Sequence, residues 1–249
     1  MATTTTTSGS TVTFSNSGAA ANLTQSGTED GGLQFTFDVL AASGGGAKTT
    51  IYSVDDGIKN DDGGASITVT NKAFADYNKD LLIQDQAGIQ FAETSTNGAK
   101  FWIGSDNKIH YDATGLSGQI NALAAGQTFI DTIQYTIKMS NGTLSVGTLS
   151  VVITGANDAP TVSAAVTSTA SEDAAAYTID LLTNAADVDH DAVLHIANLT
   201  APLPAGLTLD ADGHTLHIAP NAYDALKQGE NAVLNLSYDV VDEHGASVA

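Results

Sequence analysis

The chain has no cysteine and no arginine among its 249 residues, and only four prolines, two methionines and one tryptophan. Without cysteine there is no disulfide, no thiol nucleophile and no thiolate metal site. Secretion stays open, because disulfides accompany an extracellular life without being required for it. Eight lysines face 28 acids, a formal net charge of −20, so nucleic acid and anionic membrane are poor partners for its side chains. No apolar run reaches the ~18 residues of a membrane-spanning helix, and membrane insertion is not expected. The opening Met1-Ala2-Thr3-Thr4-Thr5-Thr6-Thr7-Ser8-Gly9-Ser10 has neither a basic nor an apolar segment, so no cleaved N-terminal signal peptide is expected. Helical periodicity is confined to Phe74, Tyr77 and Leu81 and to one turn at Tyr223–Leu226. The GxSxG, HExxH and P-loop patterns are missing. Carboxylates are so common that their spacing alone leaves glycoside hydrolysis open. An all-β layout with no catalytic pattern nevertheless predicts a protein that is not an enzyme.

What is present is strand pattern. Phe35, Phe37 and Val39 alternate with polar residues, as do Tyr177, Ile179 and Leu181. Ile133 to Met139 and Leu234 to Val240 behave in the same way. Period two with one polar face describes antiparallel strands buried on one side. Asp210-Ala211-Asp212-Gly213 between Leu207–Leu209 and Leu216–Ile218 reads as a hairpin.

An internal repeat organises these strands. Glu29-Asp30 before the Phe35 strand matches Glu172-Asp173 before the Tyr177 strand, 143 residues on. Further along, Ala122-Leu123, Gly126, Tyr135, Ile137 and Gly142 match Ala225-Leu226, Gly229, Tyr238, Val240 and Gly245, 103 residues on. The offsets differ by about forty, so the first copy carries an insertion of that size between roughly Gly57 and Lys100. The expected division is a disordered Thr-rich start over 1–10, a first β domain with insertion over 11–157, and a second over 158–249. The joint Thr154-Gly155-Ala156-Asn157-Asp158-Ala159-Pro160 is short and stiff. The second copy shows no counterpart of the Leu149–Ile153 strand, which leaves either a missing last strand or a different closure.

Charge is uneven. Residues 158–249 hold 14 acids and only Lys227, a density that repels itself unless neutralised. Within it lies Asp187-Val188-Asp189-His190-Asp191. In an extended segment alternate side chains share a side, so three carboxylates are expected to converge. Oxygen donors in that number suit calcium. Asn157, Asp158, Glu172, Asp173 and Asp242 are candidates to complete the shell, and a solvated acidic loop is the plainer alternative. At the same offset the first copy has Gly44, Gly46 and Lys48 in place of the triad. It has instead Asp55-Asp56 and Asn60-Asp61-Asp62, read equally as a second cation loop or a solvated turn. The six histidines form no evident zinc pattern.

Three stretches resemble the cadherin-like and VCBS-type repeats of bacterial secreted adhesins. They are Leu123–Ile137, the closing Val152-Ile153-Thr154-Gly155-Ala156-Asn157-Asp158-Ala159-Pro160, and Glu172-Asp173 with Asp187–Asp191. A short, Arg-free chain of two such copies opening on a threonine run resembles the Rhizobium-adhering (Rap) secreted lectins. The resemblance implies tandem Ig-like Greek-key β-sandwiches, calcium, and type I secretion to the medium or cell surface. It also implies binding of acidic exopolysaccharide in biofilm and cell adhesion. Met139 stands where the family often has Asp, as Asp242 does in the second copy. A −20 protein repels an acidic glycan, and bound cations remove that obstacle by cancelling carboxylate charge or bridging to the sugar. Trp102, Tyr52, Tyr77 and Tyr111 are the aromatic candidates for sugar stacking, each also readable as a core residue. A monomer is expected. The competing reading is a calcium-stiffened spacer with no ligand of its own.

Overall fold

The computed structural model describes residues 3–7, 10–14, 19–43, 48–56 and 80–249. The predicted all-β class holds: among the described residues nearly all regular structure is strand, broken by 3-10 turns and two short helices, α1 (Val39–Ser43) and α2 (Ser117–Ile120). The threonine-rich start, expected as a disordered tail, contains a hairpin of β1 (Thr3–Thr7) and β2 (Ser10–Phe14), in keeping with the strand preference of β-branched side chains. Two compact units follow from the packing: Met1–Ile120 with Gln127–Gly155, and Asn121–Gly126 with Ala156–Ala249.

In the first unit, one sheet contains β3 (Leu23–Thr28), β5 (Thr50–Asp55), β9 (Thr128–Lys138) and β10 (Leu144–Thr154), in the order β3-β10-β9-β5. β3 joins β10 in parallel, and the other pairs are antiparallel. The second sheet runs β4 (Gln34–Phe37), β8 (Ile109–Asp112), β7 (Lys100–Ile103) and β6 (Glu93–Thr94), all antiparallel. Alternation sets the inner faces. Phe129, Ile133, Tyr135 and Ile137 of β9 and Leu149, Val151 and Ile153 of β10 are buried, as are Phe35, Phe37, Phe101, Ile103, Ile109 and Tyr111 of the other sheet. The Phe35 strand stops at Phe37, two residues short of the expected Val39. Asp38 accepts a hydrogen bond from Ala41 N at 3.1 Å, capping α1 and turning Val39 into its first residue. The described part of the insertion lies along β5: Ser53 Oγ donates to Leu81 O at 2.8 Å, and Asp85 N donates to Tyr52 O at 2.9 Å. Leu81 is buried in a 3-10 turn over Asp80–Leu82, whereas Phe74 and Tyr77 of the same spacing lie outside the described residues.

The second unit holds β11 (Thr161–Val162), β12 (Tyr177–Asp180), β13 (Ala185–Ala186), β14 (His195–Ala197), β15 (Leu207–Leu209), β16 (Thr215–Ile218), β17 (Asp239–Val241) and β18 (Ser247–Val248). They form β12-β16-β15, β14-β17-β18 and the pair β11-β13. The hairpin predicted at Asp210–Gly213 is present, with Gly213 at φ 81° and Asp210 N donating to Thr215 O at 2.8 Å. Leu181, Leu207 and Leu216 form the core, with Ile179, Ile196, Leu236 and Tyr238 packed on them. The predicted strand from Leu234 to Val240 forms a ladder only over Asp239–Val241.

Candidate metal centre

The acidic loop of the second unit lies between β13 and β14, and the local geometry comes from side-chain turns. Asp189 N donates to Asp187 Oδ1 at 2.9 Å, the two-residue reach typical of an aspartate turn. Asp158 N donates to Asp189 Oδ2 at 3.0 Å, and His190 N donates to Ala122 O at 2.9 Å, so backbone fixes the loop from both sides. Asp189 is 7% exposed. The opposite oxygens, Asp187 Oδ2 and Asp189 Oδ1, are buried and accept no hydrogen bond among the described residues. A buried acceptor left unmade costs about 1–3 kcal/mol, more when charged. A carboxylate oxygen of Asp158 lies within 4.8 Å of one from Asp189, and Asn121 Nδ2 donates to Asp158 Oδ2 at 3.3 Å.

The extended alternation expected of the triad ends at Asp191. Asp191 sits at φ 63°, in the left-handed region, which breaks the extended alternation. Its carboxylate is exposed and meets His190 Nδ1 at 2.8 Å. Glu172 and Asp173 are also not gathered: their bonds are to Ser171, whose Oγ donates to Glu172 Oε2 at 3.3 Å and accepts from Asp173 N at 3.4 Å. Asp242 belongs to the site as a support. It is 2% exposed, its Oδ1 accepts from His244 N at 2.8 Å and Ala246 N at 2.9 Å, and its Oδ2 accepts from Asn157 Nδ2 at 2.8 Å. Burial works to raise the Asp242 carboxyl, but these donors outweigh it and hold the group below the usual carboxylate range. Asn157 also donates to Asp158 O at 2.8 Å, so Asp242 orients the Asn157–Asp158 backbone that holds Asp189.

The donor set is all oxygen, and the unit's single lysine is Lys227. A buried carboxylate of Asp189 with one oxygen unmatched among the described residues, beside the Asp158 carboxylate, fits a hard divalent cation, and the irregular loop suits calcium better than strictly octahedral magnesium. Asp189 and Asp158 would hold the ion, and its charge would remove the penalty of burying Asp189 Oδ1. In the first unit, Asp55 is buried and Asp56 half-buried, and among the described residues neither joins a cluster of three acids. Asn60, Asp61 and Asp62 lie outside the described residues.

The aromatic candidates separate by strand phase. Trp102 occupies an outward position on β7 beside its register partner His110, ring centroids 5.4 Å apart and planes at 12°. His110 is in turn held by Asp106 Oδ1 at 3.0 Å and Thr36 Oγ1 at 3.4 Å, with Lys100 on the same strand as Trp102. Tyr52 is half-buried, its OH donating to Leu82 O at 3.3 Å and its ring 5.8 Å from Lys138 Nζ. Tyr111 faces inward and is 1% exposed, so its ring belongs to the core and not to a sugar-facing surface. Tyr77 lies outside the described residues.

Tyr111 instead reveals a polar network that sequence reading missed. Its OH donates to Asp131 Oδ2 at 2.6 Å, Ser95 Oγ donates to the same oxygen at 2.5 Å, and Asn97 Nδ2 and Thr132 N donate to Oδ1 at 3.0 Å each. Asp131 is buried on the inner face of β9 and ties the two sheets together. The signal was an aspartate in phase with Phe129, Ile133 and Tyr135. Burial, then the Asp131 bond and charge, push the Tyr111 hydroxyl well above the usual tyrosine range.

Residues 156–249 match the profile of the cadherin-like domain family. That stretch, most of the second unit, is therefore similar to a cadherin-like domain. Among solved structures, the chain is similar to Protocadherin Gamma B2 extracellular cadherin domains 1–5 at 13% identity and a TM-score of 0.37, covering 96% of this chain and 41% of that one. The protocadherin gammaB7 EC3-6 cis-dimer matches at 15% and 0.37, over 96% and 54%. Mouse clustered PcdhgC3 EC1-3 matches at 14% and 0.34, over 93% and 64%. The chain thus spans less than two thirds of each of these. It matches no curated protein. No helix among the described residues is long and apolar enough to cross a membrane.

Proposed function

We propose that this is a secreted, calcium-dependent lectin or adhesin that binds acidic bacterial exopolysaccharide. The observation that carries the reading is that two buried carboxylate oxygens, Asp187 Oδ2 and Asp189 Oδ1, meet no donor among the described residues. A protein of −20 charge approaches a polyanion only when cations intervene. Calcium supplies that in two ways: it fixes the loop that Asp158, Asp187 and Asp189 form, and its remaining coordination positions accept sugar oxygens. The half-exposed Trp102, stiffened by His110 and flanked by Lys100, is the contact for a sugar ring on the first unit. The matching offsets of the repeat support reading the first unit as a second, enlarged copy of the cadherin-like domain.

The test is binding to an immobilised polyuronate in EDTA and again after calcium is restored. Binding that is absent in chelator and returns with millimolar calcium supports the proposal. Undiminished binding in chelator overturns the role of calcium. Calcium uptake with no glycan binding at any level overturns the lectin reading in favour of a spacer, and release of reducing ends from the glycan overturns it in favour of an enzyme.

A further inference from the structure

The outward side chains of β4, β8, β7 and β6 line up in cross-strand rows set by register. One row is Gln34, Asp112, Lys100 and Thr94, and the next is Thr36, His110 and Trp102. The second row is held in place. His110 lies parallel to the Trp102 indole and is bonded to Asp106 Oδ1 at 3.0 Å and to Thr36 Oγ1 at 3.4 Å. Gly104 makes that arrangement possible, because an added Cβ would collide with His110 Nε2 and Asp106 Oδ1. Lys108, His110 and Lys100 can carry positive charge on this face. Lys108 is met by Asp38 at 3.5 Å and His110 by Asp106. Lys100 stands opposite Asp112 in the ladder, yet among the described residues the two form no ion pair. Neutral donors already fill Asp112: Gln34 Nε2 reaches Oδ2 at 2.9 Å, and Thr114 N and Oγ1 reach Oδ1 at 2.8 Å and 2.6 Å. Burial works to raise the Asp112 carboxyl, but these donors outweigh it and hold the group below the usual carboxylate range. Lys100 Nζ donates instead to Thr94 Oγ1 at 2.7 Å. That acceptor is neutral, so among the described residues the lysine's charge is unanswered and two of its three N–H donors are open. In a chain of 28 acids and eight lysines, this cation stands two residues from the single tryptophan.

We propose that Lys100 is the specificity-determining residue of this face, bonding directly to the carboxylate of a uronic acid whose ring lies on Trp102. The proposal rests on the reading of Trp102 as the sugar contact, and adds what separates an acidic sugar from a neutral one there. Alternate residues on one face of a strand are about 7 Å apart, the scale of one pyranose ring with its carboxylate. The lysine ammonium meets the carboxylate through a charge-assisted hydrogen bond. The indole offers its apolar face to either kind of sugar. A neutral sugar therefore keeps the Trp102 contact and lacks the Lys100 one.

Trp102 is the chain's one tryptophan, so intrinsic emission reads this face alone. The probes are a galacturonic acid trimer and the corresponding neutral galactose trimer, each titrated into the whole chain in calcium. The acidic trimer should change the emission saturably and bind more tightly than the neutral one. Lys100→Gln, at an exposed position and still able to donate to Thr94, should weaken the acidic trimer by about five-fold or more and leave the neutral one unchanged. Lys100→Arg should retain most of the preference. Unchanged affinity of Lys100→Gln for the acidic trimer overturns the proposal. Equal weakening of both trimers also overturns it, since Lys100 would then only prop the indole. A parent chain that binds immobilised polyuronate in calcium, with no emission change from the acidic trimer, overturns the proposal and leaves the lectin reading standing. A parent chain that binds no polyuronate overturns both.

Discussion

Replacing Asp189 by asparagine changes stability with opposite sign in the two metal states. Without calcium, Asp189 Oδ1 is a buried carboxylate oxygen with no donor among the described residues, while Oδ2 accepts from Asp158 N at 3.0 Å. Asparagine keeps the volume and one acceptor but removes the charge, so the chelated form should gain about 1 kcal/mol. With calcium the balance reverses. Extracellular modules of this kind bind calcium at about 0.1–1 mM, so 10 mM calcium stabilises the native unit by about 1.4–2.7 kcal/mol. For a domain of this size that raises Tm by about 6–20 °C. Loss of one charged ligand should weaken calcium by about ten-fold or more and erase most of that rise. Thermal melts of both proteins, each in EDTA and in 10 mM calcium, give all four numbers. A variant less stable than the parent in EDTA would mean that Asp189 is held by ordinary packing, and the orphaned oxygen would lose its meaning.

Further outcomes follow from other residues. Tyr111→Phe removes one donor from buried Asp131 and should cost about 1–3 kcal/mol in the first unit, measured by urea unfolding, with calcium affinity unchanged. Trp102→Ala, on an outward strand position, should lower polyuronate binding several-fold while the melting temperature falls little. Asp242 titrates below the usual carboxylate range in the folded chain. The stability it contributes is therefore present above the unfolded value of about 3.9 and is lost as pH falls through the lower folded value. In EDTA, melts taken from pH 6 down to pH 3 should fall less steeply for Asp242→Asn than for the parent.

The parts of the fold that were legible in sequence are those governed by local alternation. β9 and β10 declare their inner faces over eleven residues each, and the hairpin at Gly213 follows from a turn that needs a positive φ. The acidic loop was half legible. Asp187 and Asp189 are joined by an aspartate turn and not by extended alternation, and the left-handed backbone at Asp191 takes the third carboxylate into solvent. Alternation also misled at both ends of its reach. It carried the Phe35 strand through Asp38, whose carboxylate caps a helix. It also gave residues 234–240 a strand that, among the described residues, forms a ladder only from Asp239 on. Tyr111 was left open between sugar stacking and core because its residue type suits both, and its phase with Ile109 turns it inward.

Isothermal calorimetry of calcium into the chelator-stripped chain reads the acidic loop itself. Saturable uptake with a Kd on the order of 0.1–1 mM is expected, abolished together with its heat in an Asp187→Asn, Asp189→Asn double variant. No heat from the parent chain up to 10 mM calcium, or the same isotherm from the double variant, would contradict it.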